Sequence, residues 1–258
     1  MSPFVAFWEP KAGTARSEWE DGCAYSPESG WFAVTDGASA GTSSREWAYT
    51  LAKSFVDDRN DELLHADEGI GDRFRRWLAG VRESFDPDAE GFVRAAVPEW
   101  VRVAGEQRGA FSTFLGGRIT ATGWASIAVG DCCLFHLRTR GTPLPRLVAT
   151  FPLTSADELG STPQLIPSAP ADDGALVRSL RQGSGNLQPG DVILAGTDAV
   201  SEWMLRTRDQ QVLWGLLSQI GVETFTALCA ELRERREMRN DDVTLLRHRR
   251  PADRGGDR

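Results

Sequence analysis

The chain has 258 residues, 41% hydrophobic and 26% charged, which is the balance of a globular protein long enough to bury a sizeable core. Its 37 acidic against 29 basic side chains leave a net charge of -8, which disfavours a nucleic-acid binder, because that needs a basic surface. Four cysteines, Cys23, Cys132, Cys133 and Cys229, form no C-x-x-C pair, which argues against a disulfide scaffold or zinc knuckle and for reduced thiols in the cytoplasm.

Phe4 to Trp8 reads as a first strand. Gly30 to Thr35 is a compact apolar run that ends in the turn pair Asp36-Gly37. Ser43 or Ser44 caps a helix with Trp47, Leu51 and Phe55 on one face, closed by Asp57 to Asn60. A second helix is expected over Asp72 to Phe85, and a third over Ala89 to Gln107, interrupted by Pro98. Phe111 to Leu115 and the alternating run Ile119 to Val129 read as strands, and Leu134 to Leu137 continues after a Gly130-Asp131 turn as a hairpin.

Thr139 to Pro189 is rich in Pro, Gly, Ser and Asp. It reads as a mobile excursion with strand fragments near Leu147 to Phe151 and Leu176 to Leu180. After the turn Pro189-Gly190-Asp191 comes a buried strand, Val192 to Ala195, running into Thr197-Asp198. Helices follow near Val200 to Leu205, Gln210 to Ile220 and Glu223 to Met238, then a last strand, Val243 to Arg247. The polar tail Arg249 to Arg258 is expected to fray. There is no basic leader and no run of about 18 apolar residues, so neither a signal peptide nor a membrane span is expected. Grouped strands and helices without strict alternation point to two mainly antiparallel sheets stacked face to face, with helices outside.

Three aspartates share one design. Asp36 follows WFAVT, Asp198 follows VILAGT, and Asp241 stands just before the strand that begins VTLL. Any one of them alone reads as a turn or helix-cap residue. Together with Glu20-Asp21 they are carboxylates fixed at the ends of buried strands. Converging carboxylates repel one another, and a hard divalent cation such as Mg²⁺ or Mn²⁺ relieves that repulsion.

The motifs themselves resemble one family. Arg16-Ser17-Glu18-Trp19-Glu20-Asp21 matches R-x-x-x-E-D, and Phe32 to Gly37 matches F-x-V-x-D-G. Ser112-Thr113 stands in the place of a G-[ST]-T strand. Ala128 to Cys132 is similar to A-x-x-G-D-S, Asp191 to Asp198 to D-x-x-L-L-x-[ST]-D, and Asp241 to Thr244 to D-[ND]-[IMA]-T. Six pieces in this order, from about Phe4 to His248, resemble the metal-dependent serine/threonine protein phosphatases of type 2C.

The resemblance implies an α+β fold, a four-layer α/β/β/α sandwich, as a single domain over 1–248 with a flap-like irregular segment near 139–190 and a tail over 249–258. It implies hydrolysis of phosphoserine and phosphothreonine on proteins by a water activated by two divalent metal ions, Mg²⁺ or Mn²⁺. Asp36 would bridge the metals, with the Gly37 carbonyl on one of them. Asp198 and Asp241 would complete the first metal, Glu20 and Asp21 would serve the second, and Arg16 would hold the phosphate. The implied partners are a phosphoprotein substrate and a cognate serine/threonine kinase pathway, with no nucleic acid and no membrane.

Three departures bear on this. Ala38 follows Asp36-Gly37 and offers no proton, so solvent would protonate the leaving group. Cys132 replaces a serine, as a packing change, and Ala199 replaces a glycine at a helix start. Asp131 and Asp157 are the candidates for a third metal. A haloacid-dehalogenase site is excluded because Val34, not Asp, lies two residues before Asp36, and Gly183-Ser184-Gly185 reads as a polar loop rather than a nucleophile elbow. The alternative is a pseudophosphatase, a binding module that keeps the fold without turnover.

Overall fold

The computed structural model describes residues 3–38, 43–87, 109–160, 162–170 and 172–252. One sheet is built from β1 (Phe4–Glu9), β7 (Cys133–Arg138), β8 (Arg146–Phe151), β11 (Val192–Gly196) and β12 (Val243–Arg249), in the order β1-β12-β11-β7-β8. The other holds β2 (Gly22–Tyr25), β3 (Trp31–Thr35), β5 (Phe114–Ile119), β6 (Gly123–Val129) and β10 (Arg181–Asn186), in the order β10-β6-β5-β3-β2. Every pairing in both is antiparallel. A two-stranded ribbon joins β4 (Phe111–Ser112) to β9 (Ile166–Pro167).

Strand alternation sorts the side chains into three cores. From β3, Phe32 and Val34 face the space between the sheets, with Leu115, Leu134, Ile193, Ala195 and Leu246. Trp31 and Ala33 face the other way, onto α1 (Ser44–Asp58) and α2 (Ile70–Ser84) through Trp47, Leu51, Phe55 and Phe74. From β11, Val192 and Leu194 face α4 (Asp198–Arg206), α5 (Gln211–Gln219) and α6 (Val222–Glu234). A strand covered on both faces needs apolar side chains at successive positions, which is why these two runs are continuous rather than alternating. The result is a four-layer α/β/β/α sandwich. Among the described residues no helix is long and apolar enough to cross a membrane.

Several elements differ from the sequence reading. The run Ile119 to Val129 is two strands, because Thr120 folds back on Gly123 through its backbone and hydroxyl. Gly130-Asp131 does not close a hairpin. It carries the chain from β6 in one sheet to β7 in the other, with Gly130 at φ 94°, in the left-handed region that favours glycine. Leu176 to Leu180 lies not on a strand but mostly in a short helix, α3 (Gly174–Ser179). Gly183-Ser184-Gly185 is not a loop but part of edge strand β10. Its glycines make room for rings: a Cβ at Gly183 would stand 2.5 Å from Phe151, and one at Gly185 2.7 Å from Trp124. The excursion is pinned rather than loose, since Arg82 on α2 forks onto Asp173 at 2.8 and 2.9 Å and reaches the Pro167 carbonyl at 3.1 Å. The start of the tail is held as well. Arg249 ends β12, and Arg250 donates its backbone N–H to the Asp191 carbonyl. The expected helix Ala89 to Gln107 lies outside the described residues.

Both ends of the excursion meet at Asp191. This buried carboxylate accepts from His136 Nε2 at 2.9 Å, Arg138 Nε at 3.1 Å and the Gln188 N–H at 2.8 Å, with Thr139 N–H at 3.4 Å. Burial holds the His136 ring below its ordinary pKa, against the pull of Asp191. Asp191→Ala strands these donors, and we expect a loss of about 3–5 kcal/mol in urea unfolding at pH 7, the cost of breaking a buried charged network. A loss below about 1 kcal/mol would show that solvent replaces the carboxylate.

Candidate functional site

The carboxylates gather at the rim where β3 and β11 end and β12 begins. Asp36 stands one residue past β3, its backbone fixed by Thr113 N–H and Ser112 Oγ on its carbonyl, both at 2.9 Å, and by Thr113 Oγ1 accepting its N–H at 3.2 Å. Gly37 bridges to Ser112. A Cβ there would lie 2.5 Å from the Glu20 carbonyl and 2.9 Å from that of Ser44, so glycine alone lets these segments close up.

Asp21 is buried beside them. Its Oδ2 accepts from Thr244 Oγ1 at 2.7 Å and Thr197 Oγ1 at 3.0 Å. Thr197 Oγ1 in turn accepts the Thr244 N–H at 3.0 Å, which sews the end of β11 to the start of β12. Asp198 opens α4, where the helix N-terminus favours an anion. Its Oδ2 pairs with Arg239 Nη2 at 2.5 Å. Asp241 accepts the Asp242 N–H on Oδ1 at 3.0 Å, and its carbonyl accepts from Arg233 Nη2 at 2.6 Å. Glu20 pairs with Lys11 Nζ at 3.3 Å.

Burial, and then the like charges of Asp21, Asp198, Asp131 and Asp241, hold the Asp36 carboxyl well above the ordinary range. Burial likewise raises Asp21, although its threonine partners pull it down. Burial raises Asp198 despite Arg239. Asp131 is pushed up to about 7 by burial and then by Asp198. The structure thus brings Asp21, Asp36, Asp131, Asp198 and Asp241 within electrostatic reach of one another. Asp157, on the 3-10 turn Ala156–Glu158, is not among the charges acting on them. Arg16 is exposed, its guanidinium 4.8 Å from the centre of the Trp8 ring, and among the described residues no ion pair joins it to a carboxylate.

Asp131 sits at a folded-state value of about 7 against an ordinary 3.8. Its charge therefore opposes folding above pH 7, and the penalty disappears as the pH falls to about 3.8. The gap corresponds to roughly 4 kcal/mol at most. Asp131→Asn should accordingly exceed the metal-stripped wild type in unfolding free energy at pH 8 and match it near pH 4. Equal stabilities at pH 8 would place Asp131 in solvent.

Among the described residues no three His, Cys, Asp or Glu side chains are already arranged as a metal cage. The donor set nevertheless fits a hard cation. Asp21 Oδ1, Asp131 Oδ1 and Asp198 Oδ1 are buried carboxyl oxygens without a hydrogen-bond partner. In Asp21 and Asp198 the other oxygen is tied down, which fixes the direction of the free one.

No family model matches the sequence, and no curated protein does. Solved structures do match. The photosystem II phosphatase PBCP shares 16% identity at TM-score 0.61 over 96% of this chain and 98% of its own. The catalytic domain of the serine/threonine phosphatase PstP in complex with two manganese ions shares 12% at TM-score 0.55 over 96% and 97%. Stp1 from Staphylococcus aureus shares 12% at TM-score 0.59 over 96% and 95%. The chain has the fold of the type 2C serine/threonine phosphatases.

Within this type 2C fold the segment 139–190 supplies β8, β9, α3 and β10, so it belongs to both sheets as well as to the surface. Cys132 is a packing residue, its buried Sγ 3.1 Å from Thr113 Oγ1 beneath Asp36. Ala199 is buried in the first turn of α4 and does not disturb the helix start. The sequence reading gave no role to Arg239 or Asp242. Asp242 stood in the D-[ND]-[IMA]-T motif as a position without a role, and the only local signal for Arg239 was the charged stretch Arg239-Asn240-Asp241-Asp242.

Proposed function

We propose that this chain is a metal-dependent phosphatase acting on phosphoserine and phosphothreonine monoesters of proteins. Asp36, Asp198, Asp241, Glu20, Asp21 and the Gly37 carbonyl would hold two divalent cations, Mg²⁺ or Mn²⁺. The observation that carries the reading is the set of buried carboxylate oxygens left without partners beside Asp36, whose charge their neighbours oppose.

Bound divalent cations supply a water acidic enough to ionise near neutral pH and offset the charge on phosphoryl oxygens. The protein's own contribution is rigidity. Asp36 is fixed through its backbone and Asp21 through two threonines. Held anionic groups need no reorganisation as charge develops. Arg16, stacked on Trp8, is assigned to the phosphate as a forked cation. Ala38 carries no proton, so the leaving alkoxide takes one from solvent. The partner on the other side of the reaction is a serine/threonine kinase that places the phosphate, and the whole unit over 1–248 acts as one domain.

The test is chelator-stripped protein titrated with Mn²⁺ and Mg²⁺ against p-nitrophenyl phosphate and a phosphothreonine peptide. Saturable, metal-dependent phosphate release is expected on both. Metal uptake with no release from either substrate would identify a binding module instead.

A further inference from the structure

Arg239 is set among the acidic groups of the rim, within electrostatic reach of Asp198, Glu202, Asp241 and Asp131. It lies in the loop between α6 and β12. Its Nη2 is 2.5 Å from Asp198 Oδ2, its Nε is 3.3 Å from Glu202 Oε2, and its side chain is 43% exposed. Nη1 has no hydrogen-bond partner among the described residues. Arg233, on α6, is spent as a clamp on the carbonyls of Pro10, Glu9 and Asp241. Arg239 also borders a cleft of about 530 Å³ together with Arg206, Arg233 and Arg236, beside Glu202 and Glu237. A guanidinium held on one edge and open on another is preorganised for a forked oxyanion contact.

We propose that Arg239 is a substrate-binding residue that takes the phosphoryl oxygens of the phosphoester, and that its fixed charge tempers the metal affinity of Asp198. The inference rests on the phosphatase reading. It follows from one carboxylate serving two cations: Oδ2 pairs with the guanidinium, and Oδ1 is buried without a hydrogen-bond partner. Removing the guanidinium relieves repulsion on a divalent cation at Asp198 while withdrawing a charge-assisted donor from phosphate. The two effects therefore have opposite signs. A purely structural salt bridge would give losses in both.

The experiment uses the full chain as wild type, Arg239→Ala and Arg239→Lys. Calorimetry measures Mn²⁺ binding and then inorganic phosphate binding to the Mn²⁺-loaded protein. KM is measured on p-nitrophenyl phosphate. For Arg239→Ala the expected result is Mn²⁺ binding several-fold tighter, phosphate binding roughly 10–100-fold weaker and KM raised in step, the scale of one charged hydrogen bond. Arg239→Lys should restore the metal affinity to wild type and the phosphate affinity only in part, since the charge returns without the fork. Joint loss of metal and phosphate affinity in Arg239→Ala, or an unchanged phosphate affinity, overturns the inference while the wild type still turns over. A wild type that takes up no Mn²⁺ overturns the phosphatase reading and this inference with it.

Discussion

Replacing Asp36 by Asn is expected to lower metal-dependent turnover by at least about 10³-fold and, in the metal-stripped protein, to raise the melting temperature by roughly 5 °C. The first effect follows from removing the carboxylate that faces the charges of Asp21, Asp198, Asp131 and Asp241 together. Losing one preorganised electrostatic group at a reacting centre already costs about 10²–10³ in rate, and the role proposed for Asp36 at both cations would add to that. The second effect has the opposite direction because the same charge is a burden on the fold. Burial and like charges raise its pKa, so at pH 7.5 folding either buries its charge or takes up a proton, a cost the unfolded chain does not bear. About 2 kcal/mol is recovered when that charge goes, and a chain of this size gains about 2–4 °C for each kcal/mol. Asn keeps the backbone contacts to Ser112 and Thr113, so the turn itself survives. Turnover within tenfold of wild type, or a lower melting temperature, would reduce Asp36 to a turn residue.

The buried strands were legible because burial on both faces leaves an unbroken apolar run. Trp31–Thr35 and Val192–Gly196 are such runs, and both stand where expected. Edge strand β10 was illegible for the opposite reason. Its inward positions are Gly183 and Gly185, and the apolar matter that fills their space belongs to Phe151 and Trp124, remote in sequence. The Gly130-Asp131 turn shows a second limit. A tight turn between two apolar strands looks the same whether the strands pair or part into separate sheets. Only the partners, β10 and β5 on one side and β11 and β8 on the other, settle which it is.

At the site, the aspartates at strand ends could be found because each carries its own local signature, a strand on one side and a turn or helix on the other. What orients them could not. Asp21 is held by Thr197 and Thr244, and Asp198 by Arg239, across sequence separations that no local window spans. Arg16 marks the reverse case. Its motif is legible, yet the structure shows it stacked on Trp8, a contact that its neighbours in sequence do not announce.

Asp242 is the residue whose loss should reach furthest through this scaffold. Asp242→Ala is expected to weaken Mn²⁺ binding about 10–100-fold and to lower unfolding stability by about 2–4 kcal/mol. The carboxylate is buried at the start of β12, with Oδ1 accepting the Lys11 N–H and Oδ2 the Glu20 N–H, both at 2.8 Å. It therefore holds both ends of the loop that carries Arg16 and Glu20 against β12, which begins at Val243. Truncation leaves two backbone donors without an acceptor, at about 1–3 kcal/mol each. It also frees the Glu20 segment, and groups that orient metal ligands in this way usually govern affinity by 10–100-fold. Asp242→Asn separates the two effects, because it keeps the volume but offers one acceptor where two are needed. If the amide oxygen stays with Glu20, metal affinity recovers while part of the stability loss remains. If it turns to Lys11, affinity stays low at the same stability. Calorimetric titration with Mn²⁺ beside urea unfolding distinguishes these cases. Wild-type Mn²⁺ affinity in Asp242→Ala, whatever its stability, would mean that the Glu20 segment finds its place without this clasp.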